Sequence, residues 1–479
     1  SYPDLQQITG GHWLLTPPSP APSGKDNTGG HGMTGIQDDS REVGNGDLFI
    51  AITGTLADGH RFLEDAVLKG AAAVCIEPDK ITPEQRRFLE RHWIPALAVD
   101  SSLHAFHAIA RQHRQNCDQC TVIAITGSNG KTSVKQMLAA VLETAAPGQV
   151  LTSSGNTNNQ FGVPRNLLRI NPDKHRFAII EAGTNHPGEI AILANMIEPD
   201  IAVITNIGKA HLEAFENIEA VAREKRDLMT TLPLNGRAIL PNKGRAVELL
   251  SEKVPKAQIT TFGSDLSADV SARYLSKKGY SWCTELVWGK NREKQLLSWH
   301  YPGSHHALNA AAVGAVADFL DIPPTTVIEG LKKTEMPAMR LETIRHCGVI
   351  WVNDAYNANP DSMRAGIKAF REMTEAEKSD HKGRPFLVLG DMNELGSCSV
   401  REHVDLLRWV NLKFPNTRLL TVGKTMQQAA ESLSVENVPN VEAAAEQLRQ
   451  QLKTGDEVFL KASRTVNLEK LLDYEYSTA

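Results

Sequence analysis

The sequence predicts an α/β protein of three domains. Short apolar runs rich in β-branched residues alternate with segments of helical periodicity, a pattern typical of parallel sheets flanked by helices. A length of 479 residues suggests about three such domains. A glycine-rich turn between one strand and one helix marks the central domain. We expect the domains to span residues 1–117, 118–332 and 333–479.

Composition and net charge argue against some classes of function. The hydrophobic fraction of 41% and charged fraction of 22% are ordinary for a globular chain. A net charge of -5 argues against a nucleic-acid-binding surface, so local lysines and arginines must meet any anionic substrate. The sequence contains neither an apolar run of about 18 residues nor a signal-peptide pattern. We therefore expect a cytoplasmic protein that does not insert into membranes.

The six scattered cysteines indicate reduced thiols in a reducing compartment. Only Cys117 and Cys120 form a C-x-x-C pair. A zinc site would need two further ligands at matching spacing, which the neighbouring sequence lacks. A linker pair is therefore the favoured interpretation, with metal or redox use as the alternative.

The N-terminal third predicts a small α/β module after a proline-rich stretch. Thr16 to Gly32 is rich in Pro, Gly, Ser and Thr and predicts a mobile loop or extension. Leu48 to Ile52 predicts a strand and His60 to Lys69 a helix. Polar residues beside the turns are either binding residues or ordinary caps. They are Asp39, Ser40, Arg41, Thr53, Asp58, Gly59 and His60.

The central domain is organised around Thr121 to Ser133, TVIAITGSNGKTS. A buried strand precedes its glycines, and Val134 to Leu142 has helical spacing, so the glycine turn lies at a helix N-terminus. Backbone N–H groups there bind phosphate, and Lys131 can reach the terminal phosphates. Thr132 or Ser133 can hold magnesium. The loop has the short form G-x-x-G-K-T-S and predicts a nucleoside triphosphate site, against the alternative of a glycine turn with a chance lysine.

Two other strands of this domain end near candidate metal ligands. Phe177 to Ile180 precedes Glu181, and Ile201 to Thr205 is followed shortly by His211. In an open parallel sheet these strand ends face the ligand crevice, although His211 is equally open to a structural interpretation. The asparagine-rich segment Leu151 to Ile170 is either a ligand-binding loop or an ordinary turn.

Two helices complete the central domain. Ile218 to Met229 predicts a helix whose charges around Lys225 indicate a solvated face. Gly303 to Leu320 predicts an apolar helix, with Asn309 near its start. The C-terminal third then predicts a Rossmann-like unit without a G-x-G-x-x-G fingerprint. Its strands are Val349 to Val352, Phe386 to Leu389, Leu419 to Val422 and Val458 to Leu460.

From Asp39 to Lys470 these motifs, taken in order, resemble the Mur ligase family. The resemblance implies an N-terminal UDP-binding α/β module, a central P-loop ATPase-like parallel-sheet domain and a C-terminal Rossmann-like domain. YNANPDSM and LGDMNELG indicate the members that add D-alanyl-D-alanine. The motifs that carry the resemblance are DDSREVGNGDLFIAITG, TGSNGKTS, GNTNNQFGVP, EAGTNHPGEI, NIGKAHLEAF, VAREKRDLM, PGSHHALNAAA, NDAYNANPDSM, LGDMNELG and KASR.

The implied activity is ATP-dependent joining of D-Ala-D-Ala to UDP-MurNAc-tripeptide by a monomer that uses Mg²⁺. It serves peptidoglycan synthesis, and so cell-wall biogenesis, cell shape and cell division. Two alternatives stay open: a family member joining a different amino acid or peptide, and a non-ligating P-loop ATPase. A non-ligating ATPase would not need the amide-rich NDAYNANPDSM loop. The sequence does not distinguish lysine from diaminopimelate in the tripeptide.

The resemblance also implies roles for individual residues. The catalytic residues are Lys131, His211 and Lys225, the last carbamylated. The ATP-binding residues are Gly127, Ser128, Asn129, Gly130, Lys131, Thr132, Ser133, Asn309, Arg340 and Asp354. The metal ligands are Thr132, Glu181, His211 and carbamylated Lys225. The substrate-binding residues are Asp39, Ser40, Arg41, Asn158, Asn159, Tyr356, Asn357 and Asn359.

Three motifs depart from the family pattern. Asp38 stands where threonine is usual, Ala338 and Met339 where proline and glycine precede the nucleotide-contacting arginine, and Ala462 where glycine is usual. Met339 is the most consequential, because a bulky side chain restricts the backbone there.

Overall fold

The computed structural model describes residues 2–15, 33–54, 57–252, 254–278, 281–289, 292–376 and 383–476. The proline-rich stretch Thr16 to Gly32, with its predicted mobile loop, lies outside these ranges. Within them, no helix is both long and apolar enough to cross a membrane. The chain forms two compact units. One comprises Ser1–Cys120, Ser153–Lys174 and Asn195–Glu198, and the other Thr121–Thr152, His175–Ala194 and Pro199–Ala479.

The first unit is built on a sheet in the order β1-β5-β4-β3-β2, the N-terminal sheet. Neighbouring strands are parallel except for β1 and β5. Alternate side chains enter separate apolar clusters on its two faces, which is why β3 to β5 read as continuous hydrophobic runs. The strands are β1 His12–Leu15, β2 Ile36–Gln37, β3 Leu48–Ile50, β4 Ala73–Ile76 and β5 Ala96–Ala98. The helices are α1 Tyr2–Thr9, α2 Leu63–Leu68, α3 Pro83–Arg91, α4 Ser102–Gln115 and, from later in the chain, α6 Gly162–Leu168.

The second unit contains the central sheet, in the order β14-β13-β12-β11-β10-β9-β6-β8-β7. Strands β6 to β12 are parallel to one another, whereas β13 and β14 extend the sheet from β12 by antiparallel pairing. The strands are β6 Thr121–Thr126, β7 Val150–Thr152, β8 Phe177–Glu181, β9 Ile201–Ile204, β10 Arg237–Pro241, β11 Ile259–Gly263, β12 Val270–Lys278, β13 Ser281–Trp288 and β14 Glu293–Trp299. The helices are α5 Lys131–Ala145, α7 Glu189–Ile197, α8 Leu212–Phe215, α9 Ile218–Arg226, α10 Val247–Ser251, α11 Ser304–Phe319 and α12 Pro324–Lys332.

The same unit contains the C-terminal sheet, in the order β15-β16-β20-β17-β18-β19. Only the pair β15 and β16 is antiparallel. The strands are β15 Glu342–His346, β16 Val349–Asn353, β17 Pro385–Gly390, β18 Arg418–Val422, β19 Glu436–Val438 and β20 Glu457–Lys461. The helices are α13 Pro360–Ala376, α14 Ser399–Lys413, α15 Lys424–Glu431 and α16 Val441–Gln451.

The predicted α/β class is confirmed. β6 lies between β8 and β9, so the carboxyl ends that carry the glycine loop, Glu181 and the approach to His211 are adjacent. The asparagine-rich residues 153–174 belong to the first compact unit, although they follow the glycine loop in sequence. The boundaries expected for three domains, 1–117, 118–332 and 333–479, stay a prediction.

Candidate active site

The glycine loop connects β6 to α5 in a conformation that requires glycine. Gly127 and Gly130 have φ of 149° and 81°. A Cβ on Gly127 would lie 1.9 Å from Oγ1 of Thr205, and one on Gly130 would lie 2.8 Å from Oδ1 of Asn309. Gly130 offers no side chain to cap α5, so the helix N-terminus keeps N–H groups for an anion. Asn309 thus lies against the loop, and its role in binding ATP stays a prediction.

Lys131 folds back over this loop. Its Nζ donates to the carbonyl oxygen of Gly127 at 2.8 Å, which directs the ammonium group into the turn. Burial lowers the pKa of Lys131, and the charge of Glu181 opposes this shift. Both serines of the motif are buried. Oγ of Ser128 accepts from the N–H of Gly208 at 2.9 Å, and Ser133 lies in the first turn of α5.

Thr132 and Glu181 form a hard-oxygen pair beside Lys131. Oγ1 of Thr132 donates to Oε2 of Glu181 at 3.0 Å and accepts from Nη2 of Arg340 at 3.1 Å. Glu181 is 2% exposed, and Nζ of Lys135 lies 3.5 Å from the same carboxylate oxygen. Sequence reasoning missed Lys135, although it follows Lys131 by four residues on the same helix face. Hydroxyl and carboxylate oxygens are the donors that Mg²⁺ prefers.

His211 is paired with a carboxylate of the C-terminal sheet. Its Nδ1 lies 2.6 Å from Oε2 of Glu394, and its backbone is left-handed with φ of 55°. The hydrogen bond with His211 lowers the pKa of Glu394. Glu394 was not among the predicted site residues. Its position just after the strand Phe386 to Leu389 was the available signal, because polar residues at parallel strand ends converge.

Lys225 is buried, so the solvated-face interpretation of its charged segment is wrong. The side chain is 1% exposed, and within the described ranges no hydrogen bond or ion pair of its Nζ is found. Burial, reinforced by the positive charge of Lys131, lowers the pKa of Lys225 to about 7. The charge pattern gave a wrong prediction because the neighbouring charged residue Glu224 is also buried. Its carboxylate accepts from the N–H groups of Gly188 at 2.7 Å and Ile190 at 2.8 Å. These bonds anchor the start of α7.

The loop after β16 carries the predicted residues of the C-terminal domain. Oδ2 of Asp354 accepts from Nζ of Lys461 at 2.6 Å, and Lys461 also donates to the carbonyl oxygen of Asn357 at 3.1 Å. The guanidinium of Arg340 lies 4.3 Å from the ring centroid of Tyr356. Sequence reasoning noted the KASR motif but did not include Lys461 in the site. Its position at the carboxyl end of β20, adjacent to β16, brings it there.

Backbone geometry near Arg340 is unusual. Met339 and Leu341, on either side of it, have φ of 61° and 54°. The Met339 N–H donates to Oε2 of Glu342 at 2.9 Å. The departure from glycine noted in the sequence therefore occurs at a position whose backbone favours glycine.

The predicted substrate-binding residues Asp39, Ser40, Arg41, Asn158 and Asn159 lie in the first compact unit. Arg41 and Asp39 form a salt bridge of 2.6 Å, which lowers the pKa of Asp39 to about 2. The Ser40 carbonyl accepts from Lys69. Asn158 donates to Asn156, and Asn159 accepts from the Gly162 N–H at the start of α6.

Asp38, another residue that departs from the family pattern, forms an ion pair. Nε and Nη2 of Arg165, on α6, donate to its two carboxylate oxygens at 2.7 and 2.8 Å. The Asp38 carboxylate thus connects the segment of the predicted substrate-binding residues Asp39, Ser40 and Arg41 to the asparagine-rich segment within the first unit.

Comparisons with known proteins agree with this arrangement. Three family profiles match: "Mur ligase family, catalytic domain" over residues 32–114, "Mur ligase middle domain" over 125–317 and "Mur ligase, glutamate ligase domain" over 339–464. The chain is 30% identical over 450 residues to the UDP-N-acetylmuramoyl-tripeptide–D-alanyl-D-alanine ligase of Bacillus subtilis, covering 91% of this chain and 92% of that protein.

Solved structures give the same result. MurF from Acinetobacter baumannii superposes with a TM-score of 0.84 at 28% identity, over 98% of this chain and 97% of that one. MurF ligase from Thermotoga maritima in complex with ADP gives a TM-score of 0.78 at 26% identity, over 92% and 96%. The chain belongs to the Mur ligase family, in the branch of UDP-N-acetylmuramoyl-tripeptide–D-alanyl-D-alanine ligases.

Proposed function

We propose that this protein is an ATP-dependent ligase that joins D-alanyl-D-alanine to UDP-N-acetylmuramoyl-tripeptide. The product is the pentapeptide precursor of peptidoglycan. The proposal rests on the 30% identity to such a ligase across 91% of the chain. The direct bonds from Arg340 to Thr132 and from Asn359 to Asn129 support it, because a ligase must hold the nucleotide and a second substrate together.

The chemistry follows from the groups around the glycine loop. The terminal carboxylate of the tripeptide attacks the γ-phosphorus of ATP, breaking its bond to the β,γ-bridging oxygen and giving an acyl phosphate and ADP. The amine of the dipeptide then attacks the acyl carbon and displaces phosphate, losing a proton. Lys131, the N–H groups at the start of α5 and Arg340 neutralise charge on the phosphates and so lower the repulsion that the carboxylate meets.

The residues present fit a magnesium site. Thr132 near the start of α5 and Glu181 at the end of β8 offer a hydroxyl and a buried carboxylate side by side, and His211 and Lys225 complete the proposed ligand set. When bound, Mg²⁺ supplies further neutralisation of phosphate charge. His211 acts in this scheme as a ligand, and we assign it no role as a base.

Lys225 becomes a ligand only after modification. Its neutral amine adds to the carbon of CO₂ and loses a proton, which gives a carbamate with anionic oxygen donors. A pKa near 7 leaves a large neutral fraction of the amine at physiological pH, because burial and the charge of Lys131 outweigh the opposing charge of Glu224. An unmodified ammonium would place positive charge beside the metal and donate nothing to it.

Each substrate has its own set of contact residues in this scheme. Tyr356, Asn357 and Asn359 contact the incoming dipeptide, and Asp39, Ser40, Arg41, Asn158 and Asn159 contact the UDP-sugar-peptide. We also propose that the enzyme works as a monomer in the cytoplasm, and sedimentation analysis of the purified chain checks the oligomeric state.

Phosphate release provides the direct test. With ATP, Mg²⁺ and UDP-MurNAc-tripeptide, we expect sustained release only when D-Ala-D-Ala is added, with mass spectrometry showing the pentapeptide. Comparing lysine- and diaminopimelate-containing tripeptides identifies the preferred substrate. Release at one rate with and without the dipeptide would favour the non-ligating ATPase. Stronger turnover with another amine would favour a ligase of different specificity.

A further inference from the structure

A second cluster of metal-ligating side chains lies at the tip of the β15–β16 hairpin. Nε2 of His346 lies 3.3 Å from Sγ of Cys347, and that sulfur lies 3.1 Å from Oε2 of Glu475. All three ligand atoms lie within 4.8 Å of one another. Zinc bonds of about 2.0 to 2.3 Å in tetrahedral geometry separate the ligand atoms by roughly 3 to 4 Å. The side chains are thus close to the spacing that one zinc ion needs.

The backbone at Cys347 is one that cysteine seldom adopts. Cys347 and Gly348 form the two-residue turn between His346 and Val349, with φ of 51° and 72°. Hairpin turns with positive φ at both central residues favour Asn, Asp or Gly at these positions. Cysteine is unfavourable there by comparison, so turn geometry alone does not account for its presence.

The chain segment that supplies Glu475 is held firmly. Tyr476 is buried, and its ring centroid lies 5.1 Å from that of Trp351 in the core. Nε of Arg449 donates to the carbonyl oxygen of Glu475 at 3.1 Å. The preceding carbonyl, that of Tyr474, lies 2.8 Å from Nε2 of His346. The ligands therefore need little rearrangement to meet an ion, which reduces the ordering cost of binding.

The chemistry of the three donors suits a metal ion. A thiol sulfur, an imidazole nitrogen and a carboxylate oxygen converge on one point. A bound cation would neutralise Glu475 and release the thiol proton. Thiolate, imidazole and carboxylate together suit zinc, whereas Mg²⁺ prefers oxygen donors alone.

We propose that His346, Cys347 and Glu475 bind one zinc ion, with water or the Tyr474 carbonyl as the fourth ligand. Binding releases the thiol proton to solvent, and the imidazole gives up the Nε2 proton that faces the Tyr474 carbonyl and takes one up on Nδ1. The hairpin carries the site away from Arg340: four residues of strand from Glu342 to His346, at about 3.4 Å each, span roughly 14 Å. The ion therefore links the C-terminal segment to the hairpin and takes no part in the reaction that joins the two substrates.

Metal titration of the full-length, tag-free protein tests this. After stripping with a chelator, the protein is titrated with Zn²⁺ in excess Mg²⁺, which occupies any magnesium site, and separately with Co²⁺. We expect one zinc per chain, a thiolate-to-cobalt charge-transfer band and a higher Tm with zinc. Cys347→Asn, which suits a positive φ, and Glu475→Gln, at an exposed position, should each bind zinc at least tenfold more weakly. Cys347→Asn should also lose the cobalt band.

Cys398→Ser is the matched control, because Cys398 is another partly exposed cysteine and lies in the turn before α14, away from His346 and Glu475 in sequence. It should bind zinc like the wild type. Ligase turnover should be unchanged in Cys347→Asn and Glu475→Gln. The proposal is overturned if the wild type fails to bind micromolar zinc, if Cys347→Asn and Glu475→Gln bind it as tightly as the wild type, or if the charge-transfer band depends on Cys398.

Discussion

Asn129 of the glycine loop and Asn359 of the loop after β16 exchange two side-chain hydrogen bonds. Nδ2 of Asn359 donates to Oδ1 of Asn129 at 2.7 Å, and Nδ2 of Asn129 donates to Oδ1 of Asn359 at 3.3 Å. Oδ1 of Asn359 also accepts from the Ser362 N–H and so caps α13. One residue of the proposed dipeptide-binding motif thus contacts the glycine loop directly.

Replacing Asn359 should therefore weaken the use of both ATP and the dipeptide. Asn359→Ser keeps a hydroxyl that can cap α13 but removes the bonds to Asn129, at a cost of about 1 kcal/mol for each. We expect kcat/KM to fall about tenfold for both substrates, with little change in Tm. Asn357→Ser is the comparison variant: the Asn357 amide oxygen accepts only from the adjacent Ala358 N–H among the described contacts, so this variant should affect the use of the dipeptide and not that of ATP. An effect confined to the dipeptide would contradict the shared role.

Lys131→Ala should abolish turnover without unfolding the protein. The side chain donates to the glycine loop and is proposed to contact the terminal phosphates, so its loss should remove several kcal/mol, roughly 3 to 5, of transition-state stabilisation. Initial rates of phosphate release and a thermal melt measure the two effects. Lys243→Ala, at an exposed lysine of the same unit, should behave as the wild type. Near-normal ligation by Lys131→Ala would remove the P-loop interpretation.

Lys225→Ala should be nearly inactive and should recover partly in acetate or formate. Either anion can occupy the vacated position and supply the carboxylate oxygens that the carbamate provides. The wild type should lose activity in CO₂-free buffer and regain it with bicarbonate, whereas rescued Lys225→Ala should not respond to bicarbonate. Arg223→Ala, on the exposed side of the same helix, is the control and should retain full activity. Wild-type rates in Lys225→Ala would show that the lysine is not a ligand.

Met339→Gly should stabilise the fold. At φ of 61° a residue with a Cβ is disfavoured by about 1 kcal/mol relative to glycine. Met339→Ala removes the same side-chain contacts but keeps the Cβ, so the difference between the two variants isolates the backbone effect. We expect Met339→Gly to exceed Met339→Ala by about 1 kcal/mol in urea unfolding. Equal free energies of unfolding would mean that the surrounding contacts, not φ, set the conformation of this segment.

Local sequence patterns were sufficient where the chemistry is local. The strand, glycines and helix around Lys131 follow one another along the chain, so periodicity and turn chemistry predict both the elements and the anion site. The position of Glu181 is predicted in the same way, because the end of an apolar run indicates where a parallel strand ends. The left-handed backbone at Met339 also lies at the position where the sequence departs from the family glycine.

Only the tertiary structure decided which distant groups meet and which are buried. Charge pattern alone put Lys225 on a solvated face, but packing of α9 buries it together with Glu224, and no local signal reports that. Glu394 and Lys461 enter the site because β16, β20 and β17 are neighbours in the sheet, an order that requires crossovers between segments far apart in sequence. The sequence by itself thus determined the α/β class and the phosphate loop, since both depend on contacts a few residues apart. The partners of His211, Thr132 and Asn129 depend on long-range packing, which the order of residues along the chain does not display.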